Sequence, residues 1–99
     1  MKPRDIVFAP EARADLLALY EWISDKAGPH VAITYIDRLE RYCSRFDLAS
    51  ERGQARDDIR PGLRIIGFER RVTIAFMVTD HAVTILRLFY GGQNWDDVL

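Results

Sequence analysis

The sequence predicts an α+β domain in which an N-terminal strand and a helical hairpin pack on a small twisted, mainly antiparallel sheet. Two observations lead to this fold class. Apolar residues recur at three- and four-residue steps through residues 10–46, and at alternate positions after residue 62. The 99 residues also contain no linker, internal repeat or low-complexity segment. We therefore expect one domain covering residues 1–99, with the element order β-α-α-β-β-β.

The first two elements are a short strand and a helix. Residues 4–8, RDIVF, are β-prone, and Pro10 suits the first turn of the helix that follows them. One face of this helix is apolar and comprises Ala12, Leu16, Leu19, Tyr20, Ile23 and Ala27. Leu17 and Trp22 lie outside this stripe, which predicts a second, partly apolar side of the helix.

A second helix follows at once, because Gly28 can take the left-handed conformation that ends a helix and Pro29 suits the start of another. Its apolar face comprises Ala32, Tyr35, Ile36, Leu39, Cys43 and Phe46. The short connection makes the two helices antiparallel neighbours. Cys43 is the only cysteine, so the chain cannot hold an internal disulfide, and its position predicts a buried apolar side chain.

The second half of the chain changes to the period of strands. Residues 50–62 are polar, include two glycines and a proline, and are predicted to form a loop. Strands are predicted at residues 63–68, 71–79 and 82–90, joined by short turns as an antiparallel meander. The last of them has apolar residues at both odd and even positions, which predicts a central strand covered on both faces for part of its length.

Arg87 interrupts this last strand and has two interpretations. It either pairs with a carboxylate of the helical hairpin, because an unpaired buried charge costs several kcal/mol, or forms a charged floor with Arg64 and Arg71 on neighbouring strands.

Composition and charge narrow the class of protein. Hydrophobic residues make up 48% of the chain and charged residues 29%, as in soluble globular domains, and no stretch approaches the ~20 apolar residues of a membrane span. The net charge of −1 argues against general nucleic-acid binding. Among the 14 lysines and arginines only Lys2 and Lys26 are lysines, which favours recognition of carboxylates or phosphates, although an arginine-rich coding bias explains the count equally well. Residues 1–10 lack the apolar run of a secretory signal, so we expect a cytoplasmic protein.

The sequence offers no conventional catalytic or metal site. His30 and His81 are the only histidines, and neither has the spacing of a zinc-binding motif. The acidic pairs at 57–58 and 96–97 lie in polar stretches, which favours solvated charge over a carboxyl group with a raised pKa. Glycine-rich phosphate loops are missing. We therefore predict neither a metal nor a cofactor.

Several segments, taken together, resemble the RelE/ParE superfamily of toxins from type II toxin–antitoxin (plasmid stabilisation) systems, and the ParE branch in particular. These are FAPEARADL (8–16), YEWI (20–23), AITYIDRL (32–39), ERG (51–53), IRPGLR (59–64), AFMV (75–78) and VTILRLFYGGQNW (83–95). They cover most of the chain in the family's order. The same fold is implied by the resemblance and by the periodicity.

The resemblance implies a small cytoplasmic protein that inhibits growth and is neutralised by an antitoxin. ParD-like antitoxins combine a ribbon-helix-helix DNA-binding half with a segment that wraps the toxin, so the toxin meets DNA only through its antitoxin. ParE members poison DNA gyrase. RelE members cut mRNA in the ribosome with basic residues on the sheet. The chain has Thr73 and Gln93 where RelE-like nucleases favour arginine, which favours a gyrase-binding toxin that is not an enzyme.

Two sets of candidate binding residues follow from the resemblance and the helix pattern. For the target they are Arg64, Arg71, Arg87, Tyr90, Gln93, Asn94 and Trp95, and for the antitoxin Leu16, Leu17, Tyr20 and Trp22. An amphipathic helix or an added strand of the antitoxin suits the apolar surface. The first alternative is a ribosome-dependent mRNA interferase, in which Tyr90, Arg87 and Arg71 replace the usual basic residues. The second is a degenerate member that only binds its antitoxin and co-represses the operon.

Overall fold

The structure, a computed structural model, describes residues 5–47 and 53–91 and confirms the α+β fold. Two helices pack on a five-stranded mixed sheet with the strand order β1-β5-β4-β3-β2. The elements are β1 (Asp5–Phe8), α1 (Pro10–Ala27), α2 (Pro29–Ser44), a short 3-10 helix (Arg45–Asp47), β2 (Gln54–Ala55), β3 (Leu63–Phe68), β4 (Val72–Val78) and β5 (Ala82–Tyr90). Proline begins both helices, and Gly28 separates them at a φ of +96°.

The central position predicted for β5 is confirmed. β5 pairs antiparallel with β4 from Val83 to Tyr90, and parallel with β1 only over Ala82–Ile85. Beyond Ile85 it therefore has β4 on one side and, among residues 5–47 and 53–91, no strand on the other. We call this stretch, residues 86–90, the open edge of β5. Its backbone groups need partners that a neighbouring strand would otherwise supply.

A β-bulge in β5 changes which side chains face the helices. Ala75 lies opposite Arg87 and Phe76 opposite Ile85, so Leu86 is an extra residue. Ile85 is buried in the core between sheet and helices, whereas Phe89 is buried in a second cluster on the far face. The odd numbers of Ile85, Arg87 and Phe89 suggest that they share one face. Because of the bulge, Ile85 instead lies on the face opposite to that of Arg87 and Phe89.

Apolar side chains fill both sides of the sheet. The larger cluster lies between the sheet and the helices, and its fully buried members include Leu39, Cys43, Phe46, Ile74, Phe76 and Ile85. The burial predicted for Cys43 is confirmed, and desolvation raises the pKa of its thiol to about 12. The smaller cluster comprises Leu63, Ala75 and Phe89 with Ile59, Ile65 and Leu86 packed against it.

The prediction of a loop throughout residues 50–62 was wrong at Gln54–Ala55. These two residues form β2, which pairs antiparallel with Ile65 and Arg64 of β3. A strand of two residues is too short to show any hydrophobic period. The close approach of β2 to β3 depends on Gly53, which has a φ of +75°. A Cβ added at Gly53 would collide with the carbonyl oxygen of Ile65.

Replacing Gly53 by alanine is expected to destabilise the fold by about 3 kcal/mol, since the collision adds to the strain of a positive φ. Gly91→Ala is the matched control, because its φ of +70° is close to that of Gly53 but its Cβ would meet nothing within 4 Å. That control should cost only about 1–2 kcal/mol. Denaturation in urea measures both, and equal losses would contradict the close approach of β2 to β3.

Candidate functional site

Asp15 of α1 and Arg87 form a bidentate ion pair at the open edge of β5. The Arg87 Nε donates to Oδ2 of Asp15 at 2.8 Å, and Nη2 donates to Oδ1 at 3.1 Å. The backbone N–H of Leu88 also donates to Oδ2, at 2.9 Å. The pair is partly buried, with side-chain exposures of 18% for Asp15 and 29% for Arg87. Of the two interpretations of Arg87, pairing with a carboxylate of the helical hairpin is the one that the structure shows.

The ion pair replaces the missing neighbour of β5. Register places Arg87 opposite Ala75, on the far face, and its guanidinium lies 5.1 Å from the Phe89 ring centre. From the far face the Arg87 side chain extends to the open edge of β5, where its guanidinium binds Asp15 of α1. The Asp15 carboxylate accepts the Leu88 N–H that a longer β1 would otherwise bind. Hydrogen bonding to Asp15 raises the pKa of Arg87.

An apolar groove lies between α1 and the end of the sheet. Its walls are Ala18, Leu19 and Trp22 of α1 and Val72, Leu88 and Tyr90 of the sheet, and Asp15 also lines it. We call it the α1–sheet groove; its volume is about 300 Å³. The rings of Trp22 and Tyr90 lie with centroids 4.7 Å apart, and Trp22 remains 46% exposed. An exposed aromatic pair beside an apolar groove is typical of a protein-binding surface.

The candidates for antitoxin binding do not form one surface. Leu16 and Tyr20 are half-buried and pack on the core. Leu17 is 60% exposed, but it lies about 140° around the helix from Trp22, at 100° per residue. Trp22 faces the groove and Leu17 is not among the residues that line it. The prediction of a second apolar side of α1 was therefore wrong: Leu17 and Trp22 lie on opposite sides of the apolar stripe that packs on the core.

The candidates for target binding are also spread over the sheet. Arg64 lies opposite Phe76 near the start of β3, where its Nη2 donates to the Gly53 carbonyl at 3.1 Å. Arg71 is exposed in the turn at the other end of β3, and its carbonyl accepts the Gly91 N–H at 2.8 Å. With Arg87 bound to Asp15, the three arginines do not form the charged floor that was the second interpretation. Gln93, Asn94 and Trp95 lie outside the described residues.

The turn between β3 and β4 is a feature that the sequence did not reveal. Glu69 and Arg70 have φ values of +49° and +60°, and the Arg71 N–H donates to the Phe68 carbonyl at 3.0 Å. Such turns favour asparagine and glycine, so a Glu-Arg pair gives no sequence signal for one. Two hydrogen bonds from Arg38 of α2, at 3.0 and 3.1 Å, hold the Glu69 carboxylate.

Within residues 5–47 and 53–91, no group of three or more histidine, cysteine or acidic side chains is placed to hold a metal ion. His30 and His81 are exposed. In the same part of the chain, no helix combines the length and apolar character that crossing a bilayer requires.

Comparison with known proteins identifies the family. Residues 6–95 match the family described as "ParE toxin of type II toxin-antitoxin system, parDE", and the chain belongs to this family. Its fold is similar to a solved structure titled "Chromosomal ParDE TA system from P. aeruginosa", with a TM-score of 0.77 and 24% identity over 89% of this chain and 96% of that one. Comparison with curated proteins found no match. The resemblance to the ParE branch that the sequence segments indicated is confirmed.

Asp15→Ala is expected to destabilise the protein by about 2 kcal/mol, because it leaves the Arg87 guanidinium and the Leu88 N–H without their acceptor. The matched control is Asp37→Ala in α2, which removes an exposed pair with Arg41 and should change stability by at most about 0.5 kcal/mol. Both changes replace a helical aspartate by alanine, so the gain in helix propensity cancels. Urea denaturation that gives the same loss for both variants would refute the role of Asp15.

Proposed function

We propose that the protein is a toxin that acts in the cytoplasm by binding DNA gyrase and is neutralised by a cognate ParD-like antitoxin with a ribbon-helix-helix half. Membership of the ParE family supports the toxin class. The resemblance described above supports gyrase as the target and makes the antitoxin the route by which the pair reaches DNA. The single structural observation that carries the proposal is the pairing of Arg87 with Asp15.

Arg87 is committed to Asp15 through two hydrogen bonds. Both bonds are charge-assisted and partly buried, and a phosphate would have to displace a carboxylate that also accepts the Leu88 N–H. An RNA-cutting site needs cations free to stabilise the charge that develops on the reacting phosphate. The geometry of Arg87 therefore favours a structural role in a toxin that acts by binding.

The α1–sheet groove is the surface that we assign to the antitoxin. It combines apolar walls with the partly exposed ring of Trp22, and the open edge of β5 lies beside it. An antitoxin segment can place an apolar side chain in the groove and extend along that edge. We assign Arg71, exposed at the end of the sheet, to the target surface, with Arg64 at the opposite end as a second contact.

One observation favours the mRNA interferase as a second candidate. Tyr90 lies opposite Val72, next to Arg71, and the Gly91 N–H binds the Arg71 carbonyl. A phenol and a guanidinium at the same end of the sheet are two of the groups that RNA cleavage by 2′-hydroxyl attack requires. The two candidates therefore share residues and differ in their reaction.

The two candidate functions are separated by a supercoiling assay with purified gyrase beside primer extension on translated mRNA. We expect inhibition of supercoiling, and Arg71→Ala should weaken it about tenfold through loss of a charged contact. Arg41→Ala, a change at an exposed arginine of α2, is the matched control and should leave inhibition unchanged. Codon-specific cuts with intact supercoiling would instead establish the interferase, and a chain that does neither and does not slow growth would be the degenerate form.

Trp22→Ala is expected to weaken antitoxin binding about 30-fold, the effect of losing a central aromatic contact of about 2 kcal/mol. Ile33→Ala is the control, because Ile33 is also an exposed apolar helical residue, at 56%, and is not among the residues lining the groove. Titration calorimetry with the purified antitoxin measures both. Equal weakening by the two variants would place the antitoxin elsewhere.

A further inference from the structure

The turn between β3 and β4 is held in a conformation that its residues disfavour. Glu69 and Arg70 follow one another with φ values of +49° and +60°. Residues that carry a Cβ rarely adopt this left-handed conformation, because the Cβ crowds the following carbonyl oxygen. Such strain persists only where the surrounding structure holds the backbone in place, and it is concentrated at functional sites.

The contact that holds this turn comes from α2. The Arg38 Nε donates to Oε2 of Glu69 at 3.0 Å, and Nη2 donates to Oε1 at 3.1 Å. The Arg38 guanidinium also lies 5.1 Å from the centre of the Tyr35 ring. Tyr35 in turn packs edge-on against Phe68, the last residue of β3, with ring centroids 5.8 Å apart. An aromatic ring that belongs to the core therefore places the guanidinium that binds the turn.

The Arg38–Glu69 pair contributes geometry to the turn more than stability to the fold. The two side chains are 49% and 40% exposed, and exposed ion pairs add little to the free energy of unfolding. Two parallel hydrogen bonds nevertheless fix the direction of the carboxylate relative to the helix. The effect of the pair is therefore local, on the conformation of the turn.

The turn presents two positive charges at the end of the sheet. Arg70 and Arg71 are both exposed, and the ion pairs formed within residues 5–47 and 53–91 include neither of them. Glu69, the acidic residue of the turn, is already neutralised by its partner on α2. The Arg71 backbone is fixed on both sides, by its N–H to the Phe68 carbonyl at 3.0 Å and by its carbonyl to the Gly91 N–H at 2.8 Å.

We infer that the β3–β4 turn recognises an acidic patch on the protein target, with Arg70 as a contact beside Arg71 and the Arg38–Glu69 pair as the positioning element. The identity of the target rests on the function proposed above. Arginine binds carboxylates through a planar fork, so two guanidiniums at the tip of a hairpin suit a small cluster of acidic side chains. A nucleic-acid backbone instead requires an extended basic surface, and the net charge of this chain is −1.

Two changes at Glu69 test the positioning role. Glu69→Ala and Glu69→Asn remove the same charge and release the same guanidinium, but asparagine tolerates the left-handed conformation and alanine does not. Glu69→Ala is expected to weaken the inhibition of gyrase supercoiling about fivefold, because the turn then spends only part of its time in the competent conformation. Glu69→Asn should remain within about twofold of the wild-type chain. Urea denaturation checks that both variants are folded.

The difference between the two variants distinguishes positioning from direct contact. Equal weakening by Glu69→Ala and Glu69→Asn would mean that the charge of the pair itself contacts the target, and would overturn the positioning role. Unchanged inhibition by Glu69→Ala would overturn it as well.

Arg70→Ala tests the contact. It is expected to weaken inhibition about tenfold, while the backbone strain is unchanged because both residues carry a Cβ. Arg41→Ala removes the same charge from an exposed arginine of α2 and should have no effect. Equal effects of these two changes would overturn the contact. If Arg70→Ala instead weakened codon-specific cutting of translated mRNA, the turn would bind RNA, and the acidic protein patch would be wrong.

Growth arrest by the chain expressed without an antitoxin is measured with the same variants. A wild-type chain that arrests growth while supercoiling and mRNA both stay intact would exclude gyrase as the target. The order of the variants in growth arrest would then decide the role of the turn in the same way. A wild-type chain without any effect on growth would overturn both the proposed function and this inference.

Discussion

The contact of Asp15 with Arg87 and the Leu88 N–H connects the two layers of this protein at the place where the sheet would otherwise be incomplete. β1 covers only the first part of β5, and its chain must then leave to begin α1. The Asp15 carboxylate, in the second turn of that helix, lies at the strand edge and accepts three hydrogen bonds. The carboxylate accepts hydrogen bonds from the Leu88 N–H and from the Arg87 guanidinium. α1 can therefore lie along the open edge of β5, whose backbone groups would otherwise need water or another strand as partners.

The candidate binding surfaces depend on this arrangement. α1 held at the open edge of β5 leaves the apolar α1–sheet groove, whose walls include the contacting rings of Trp22 and Tyr90. The same contact removes Arg87 from the set of available cations, which leaves Arg71 as the exposed arginine next to Tyr90. One ion pair therefore shapes the surface assigned to a protein partner and restricts the chemistry that the sheet can support.

Local sequence patterns predicted some elements of this structure correctly and others incorrectly. The helix limits at Pro10 and Pro29 and the limits of β3 and β5 agree with the sequence because they depend on local conformation and on alternation within one element. The fold family follows from many weak local matches in one order, which the match over residues 6–95 confirms. The sequence did not predict β2, because a strand of two residues shows no hydrophobic period. It also assigned Leu17 and Trp22 to one side of α1, although they flank the core stripe on opposite sides.

The sequence by itself determined the two helices, the longer strands, their order and the family, because each of these depends on patterns among neighbouring residues. Only the tertiary structure decided the role of Arg87. The bulge at Leu86 separates it from the face of Ile85, and its partner Asp15 lies 72 residues away. Register between strands and contacts between distant residues depend on how the layers close on one another, and no local pattern contains that information.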